Sequence, residues 1–388
     1  MLFFLKKGYV MKKIKKDEMP QVDENLMETV SFGSLCQKPG NRETNITKNL
    51  LEGSAAFPIL SDKEMNVGVL RYDTPHLKKH KASTFIVSIL PLELQAAFRA
   101  LFAGKFPQYA DEGHGSVVFS GSTHQENIFY NKIETLASAS QFPDILITTD
   151  LNSLYHRNSR LLNDRNFETF NYALNSMYAD TKISHPAKVF GYLGAEALVL
   201  VAHKAKYETT QPPREWYELL NPALRSSIVF SGDRDFHCNT VFAHFVKEYG
   251  YEALKQLGKN TLTRIHPEEM LLTINEGNKI DASIYVMPYS YAKKIENNLD
   301  YEIIWPNDGA ILLPVQMLVK RGAFDKYKDV IRFLIGREVG ELLEQHGLVA
   351  ANAKVNNALP GTKLNWIGWN FIRNCDMHAL KEDIRRHL

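Results

Sequence analysis

Apolar residues gather into two kinds of run, and the clear ones begin only past residue 83. Ser83–Leu90 (STFIVSIL) is short, rich in β-branched residues and stopped by Pro91, which predicts a strand. Leu92–Phe102 carries apolar residues at helical spacing, with Gly104 following as a stop. Ser116–Phe119 predicts a second strand, Asn127–Ala139 a second helix, and PDILI at 143–147 a third strand that opens into Thr148, Thr149 and Asp150. Strands alternating with helices in this way predict a parallel, doubly wound sheet. In such sheets ligands bind beyond the carboxyl ends of the strands.

The second half repeats the alternation. Residues 151–187 read as helix and loop. Ala195–Ala202 (AEALVLVA) predicts a strongly apolar strand, Pro212–Leu220 a proline-initiated helical turn that buries Trp216, and Ser227–Phe230 a strand leading into Ser231 and Gly232. Helices are expected over Asn239–Tyr249, 252–258 and Pro267–Glu276, with Gly250 and Gly277 as C-terminal stops. Ala282–Met287 and Ile311–Val319 predict two more strands. Tyr327–His346 predicts one long amphipathic helix closed by Gly347, ahead of a segment with Trp366 and Trp369 and a charged final helix.

The 388 residues allow a large core in more than one domain, and a net charge of +2 gives no basic field for nucleic acid. Lys12, Lys13, Lys15 and Lys16 read as a solvated tail. Cys36, Cys238 and Cys375 are too far apart to form a disulfide framework or a zinc motif. His76 and His80 would share a helix face but have no third ligand nearby in sequence. At the N-terminus, five apolar residues are followed by Lys6 and Lys7, the reverse of a secretory signal. The expectation is a cytoplasmic chain without membrane insertion, or an exported one if translation starts elsewhere. No Gly-x-Ser-x-Gly, Walker, dinucleotide or His-Glu-x-x-His motif occurs, so neither an enzyme nor a cofactor is expected.

Six phrases occur in a telling order: PDILITTD at 143–150, the Tyr-Leu-Gly lead at 192–194, Pro-x-x-Trp-x-x-Leu-x-Asn-Pro at 213–222, His-Pro-x-x-Met at 266–270, Asp308-Gly309-Ala310 with Pro314, and the helix at 333–355. In these the segment from about 83 to 360 resembles the type II periplasmic-binding-protein fold, and more narrowly the iron(III)-type solute-binding proteins of ABC importers. The resemblance implies an α/β protein of two doubly wound lobes joined by two crossovers, with a ligand cleft between them. Lobe one would be 83–187 with 290–388, lobe two 188–289, and residues 1–82 an extension, helical or partly disordered. It implies capture of a small polar or anionic ligand, or a metal complex, by hinge closure, with an ABC permease as the partner. A cytoplasmic sensor or carrier, or an enzyme reusing the fold, is the alternative.

Thr148 and Thr149 offer hydroxyls at a strand end. Asp150 is a ligand contact or a helix cap. Ser122 and Thr123 stand before a predicted helix, as anion donors or as its cap. Ser231 and Gly232 hold the equivalent place in the second lobe; Asp233, His237 and Cys238 nearby match no standard metal spacing, which leaves any metal undefined. Tyr285 and Tyr289 are expected as an aromatic wall and Tyr291 as hinge packing. Iron(III) binders of the resembled family use adjacent tyrosines near this region. Here Met287 and Pro288 intervene between the tyrosines, so the resemblance does not directly support iron.

Overall fold

The computed structural model describes residues 84–88, 90–109, 116–119, 136–149, 159–232, 239–275 and 280–387. The expected 1–82 extension, Ser122, Thr123, Asp150, Asp233, His237, Cys238 and most of the helix expected at 127–139 lie outside these residues.

In chain order the elements are β1 (Thr84–Ser88), α1 (Leu92–Lys105), β2 (Ser116–Phe119), β3 (Ile145–Thr148), β4 (Phe190–His203), β5 (Ile228–Ser231), α2 (Asn239–Tyr249), α3 (Glu252–Asn260), β6 (Thr261–Ile265) and α4 (Pro267–Asn275). They continue with β7 (Ile284–Pro288), α5 (Tyr289–Ala292), β8 (Tyr301–Ile304), β9 (Ala310–Val319), α6 (Lys328–Leu334), α7 (Arg337–Gln345), β10 (Val349–Ala350), β11 (Leu364–Asn365), α8 (Trp369–Asn374) and α9 (Met377–His387).

One hydrogen-bonded path runs β2-β1-β3-β9-β4-β7-β5-β6. It reads as two parallel trios flanking a central antiparallel pair. β1 pairs in parallel with β2 and β3, and β5 pairs in parallel with β6 and β7. Between the trios, β4 and β9 run antiparallel from Phe190↔Leu318 to Leu198↔Ile311. β9 carries the first trio through Ile145↔Val319 to Thr148↔Gln316, and β4 carries the second through Leu198↔Pro288 to Ala202↔Ile284. The two long strands therefore belong to both halves.

Residue alternation explains why the sheet is covered on both faces. Ile145 and Ile147 of β3, Leu193 of β4, and Val315, Met317 and Val319 of β9 enter one core with Phe98, Phe102 and Leu343. Leu146, Tyr192 and Leu318 enter the other, with Trp216, Phe230 and Trp369. A strand buried on both faces reads as a continuous apolar run, as β4 and β9 do. Pro314 has no N–H to donate, and it falls where β3 has already ended beside β9.

The Pro-x-x-Trp phrase has a structural job. Trp216 is fully buried; its Nε1–H donates to the Gly309 carbonyl at 2.8 Å, and its backbone N–H to Asp308 Oδ2 at 3.0 Å. Gly309 has a φ of 103°, a conformation that favours glycine. Burial holds the Asp308 carboxyl above its ordinary range.

One expectation changes, and one contact reaches across the expected lobes. The helix expected over 327–346 is broken between α6 and α7, where Gly336 is extended. A Cβ there would lie 2.9 Å from the Arg332 and Phe333 carbonyl oxygens. The final helix α9 packs on α2 and α3, beside residues expected in lobe two rather than lobe one. Leu380 and Ile384 join the core there.

At the β4 bulge, a Cβ on Gly194 would lie 2.5 Å from the Val349 carbonyl oxygen of β10, a backbone atom that cannot swing aside. Gly194→Ala is expected to destabilise the fold by about 1–3 kcal/mol, read as a lower midpoint in urea unfolding. Two buried imidazoles set an acid limit. His185 lies edge-on to the Phe190 and Trp369 rings, and His244 is 1% exposed within α2. Burial first, then Arg373 and Lys247 respectively, pushes each down to about 4. Both are neutral in the folded chain, while an unfolded histidine gains its proton near pH 6.5. Stability should therefore hold above pH 6.5 and fall between pH 6.5 and 4, by up to about 1.4 kcal/mol per pH unit for each histidine. Urea midpoints measured across that window for the wild type and His244→Gln check this: the variant should show the shallower slope.

Candidate functional site

The parallel strands deliver their carboxyl ends to one place. Thr149 follows β3, Ser231 ends β5, His266 and Pro267 follow β6, Pro288 ends β7, and Pro91 comes between β1 and α1. These residues and Tyr291 surround a recess whose floor is Glu196 and Leu198 from β4 and Leu313 from β9. Its walls thus come from both parallel trios and its floor from the pair that joins them. The recess is partly open, with a cavity of about 40 Å³, enough to hold ordered water.

The polar groups at this recess are few and deeply set. Thr149, Ser231 and Glu196 are each less than 5% exposed. Glu196 Oε2 accepts the Ser290 hydroxyl at 2.8 Å. Ser290 is in turn held from behind by Gly347, where a Cβ would come 3.1 Å from the Ser290 Cα. His266 Nδ1 accepts the Glu268 N–H at 3.2 Å, which assigns the ring proton of the neutral imidazole to Nε2. The His266 ring meets Tyr291 edge-on at 6.0 Å, and Lys294 Nζ lies 4.9 Å from the centre of the Tyr291 ring.

Of the residues anticipated from sequence, Thr149 and Ser231 line the recess. Thr148 and Gly232 are their immediate neighbours; the Gly232 N–H donates to the Ile265 carbonyl, tying β5 to β6. Tyr285 and Tyr289 do not line it. Tyr285 packs beside Tyr301 on β8, and Tyr289 donates its hydroxyl to Glu296 Oε1 at 2.8 Å with its ring against Trp305. Burial, reinforced by Tyr301 and by Glu296 respectively, raises both phenols well above their ordinary range. Tyr291, expected as hinge packing, is the tyrosine at the recess. Glu196 was missed, although a lone carboxylate inside the apolar run AEALVLVA was a readable signal. His266 enters the sequence reading only within the His-Pro-x-x-Met phrase. Among the described residues, no three His, Cys, Asp or Glu side chains gather in a way that could hold a metal ion. Two larger recesses, at Tyr217 and Tyr249 and at Trp366 and Trp369, lie away from these strand ends.

Residues 140–375 match the family described as bacterial extracellular solute-binding protein. The chain belongs to this family. No curated protein matches it by sequence. Among solved structures, the apo ferric ion-binding protein A of Pasteurella haemolytica is 13% identical with a TM-score of 0.57, the match covering 78% of this chain and 97% of that one. The periplasmic binding protein P5PA is 15% identical with a TM-score of 0.56, covering 77% and 97%. AfuA from Actinobacillus pleuropneumoniae, with fructose-6-phosphate bound, is 15% identical with a TM-score of 0.55, covering 77% and 96%. At these identities the likeness is one of fold: two α/β lobes of the type II periplasmic-binding-protein kind, with a cleft between them. The family and these neighbours are binding proteins rather than enzymes. The family's description gives no support to the cytoplasmic placement expected from the N-terminal residues. Among the described residues, no helix is long and apolar enough to cross a membrane.

Ser290 is the residue through which this geometry can be probed without altering a charge. Ser290→Ala removes a buried hydroxyl that donates to a carboxylate, and is expected to cost about 1.5–3 kcal/mol of stability. Chemical denaturation reads that loss.

Proposed function

We propose that this chain captures a small polar solute in the recess on β4 and β9 and closes over it by rotation about those two strands. The observation that carries the reading is the convergence of Thr149, Ser231, His266 and Tyr291, delivered by strand ends from both sides, onto a floor shared by the two sides. In this reading lobe one is 83–187 with 290–388, lobe two is 188–289, and α9 leans across onto lobe two. Closure changes the distance between Thr149 and Ser231 and leaves the β4–β9 ladder intact, so occupancy becomes shape. An ABC permease outside the cytoplasm is the partner suited to read that shape. The fold neighbours, which include a Trichodesmium protein in complex with iron and citrate, suggest a first panel of ferric ion, ferric ion with citrate, and fructose-6-phosphate, to which amino acids, polyamines and simple oxyanions are added.

At about 100 times its Kd, a solute that binds only the folded chain adds roughly 2.7 kcal/mol of stability, a rise of a few degrees in Tm. The same solute should lower the radius of gyration measured by small-angle X-ray scattering. A folded protein whose Tm and radius are moved by nothing in the panel would sink the capture reading.

A further inference from the structure

We infer that a second ligand site lies outside the cleft, in the groove at Tyr217 and Tyr249, and that it takes a small quaternary ammonium compound. The inference stands apart from the solute-capture reading, because none of the groove's residues lines the recess on β4 and β9.

Three tyrosines from three segments meet at this groove. Tyr207 ends the short turn Lys204–Tyr207 after β4, Tyr217 lies in the turn Trp216–Leu220, and Tyr249 ends α2. The cavity is about 750 Å³, within the span of roughly 300–1,000 Å³ usual for small-molecule sites. Tyr217 is 52% exposed and Tyr249 39%, so both rings are within reach of a ligand. Tyr249 packs against the Phe245 ring at 5.4 Å, while Tyr207 and Tyr217 meet no other aromatic ring among the described residues. Among the described residues, no lysine or arginine lies over any of the three rings, and none lines the groove. No cation of the protein therefore competes for these rings, whose quadrupole attracts one. Glu218 is the one carboxylate in the lining. Its Oε2 accepts the Arg214 and Glu215 backbone N–H groups at 2.6 and 2.9 Å, which fixes the side chain; Oε1 accepts no hydrogen bond from any described residue. The cations at the margin are already matched, Arg214 with Glu302 at 2.7 Å and Lys247 with Glu248 at 2.5 Å. The surroundings are negative: after burial, Asp308, Glu248 and Glu215 each push the Tyr249 phenol above its ordinary range. Pro213, Leu220 and Leu224 complete an apolar wall. A quaternary ammonium suits aromatic faces and an apolar wall better than a primary amine, because it carries no N–H that would be left without an acceptor there.

The test uses the full chain and two probes of nearly the same shape: choline, and 3,3-dimethyl-1-butanol, in which a carbon replaces the charged nitrogen. Isothermal titration follows each against the wild type, Tyr217→Ala, Tyr217→Phe and Glu218→Gln. Choline is expected to bind the wild type, and the uncharged probe to bind about tenfold more weakly. Tyr217→Ala should weaken choline by about fivefold, while Tyr217→Phe, which keeps the ring, should stay within about twofold of the wild type. Glu218→Gln should weaken choline by about threefold and leave the uncharged probe unchanged. Should Glu218→Gln fail to fold, the two exposed Tyr217 variants still decide the matter. Equal binding of the two probes overturns the inference, since the charge then plays no part. Choline binding that survives Tyr217→Ala within about twofold overturns it too, because that choline sits elsewhere, and solute capture is left standing. A folded wild type that binds no choline also overturns it, while the solute panel continues to test capture separately.

Discussion

The antiparallel ladder between β4 and β9 is the constraint on which the rest of this molecule depends. Each parallel trio needs a fourth strand on its inner edge, and the ladder supplies one to each: β9 to β3, β4 to β7. Parallel strands are tolerated only when both faces are covered. The chain meets this by alternating β3, β4 and β9 side chains between two separate cores. The carboxyl ends of the parallel strands then have one place to go, beyond the middle of the ladder. The recess is a consequence of the strand order before any particular side chain is considered.

Local chemistry holds the ladder at its correct register. The Gly194 bulge lets β10 approach β4 closely. Asp308 and Gly309 tie the start of β9 to Trp216 through two hydrogen bonds, one of them to a fully buried indole. A buried indole N–H left without an acceptor costs about 1–3 kcal/mol, so Trp216 and the 308–309 turn are specified together although 92 residues apart. This is why two phrases so distant in the sequence carry a joint fold signal.

The sequence made the regular elements legible where burial is one-sided or complete. α2, with apolar residues at helical spacing and Gly250 at its end, falls on the expected residues, and β4 and β9 differ from expectation mainly in length. β6 went unread because it is an edge strand of half-exposed residues, including Leu262 at 40% exposure, and shows no apolar pattern. The single helix expected over 327–346 fails at Gly336, where a residue common inside weak helices is required by two close carbonyls. At the site, Thr149 and Ser231 could be placed by the rule that ligands gather at strand ends. The tyrosines could not: Tyr285, Tyr289 and Tyr291 lie within seven residues, and only tertiary packing decides that Tyr285 turns to Tyr301, Tyr289 to Glu296 and Trp305, and Tyr291 to the recess. Glu196 was hidden by its own neighbours, since a run of apolar residues is read for its average.

The division of the recess into floor and walls has a thermodynamic meaning under the hinge reading. A solute shifts an equilibrium between open and closed forms only by the difference in its affinity for the two. Glu196 stands on the strand common to both halves, so its distance to a solute resting on the floor is the same before and after rotation. Thr149 and Ser231 stand at strand ends on opposite halves and line the same recess, so under the hinge reading it is their separation that rotation changes. On that reading, substitutions at the strand ends act on closure, while the β4–β9 ladder that both halves share stays paired throughout.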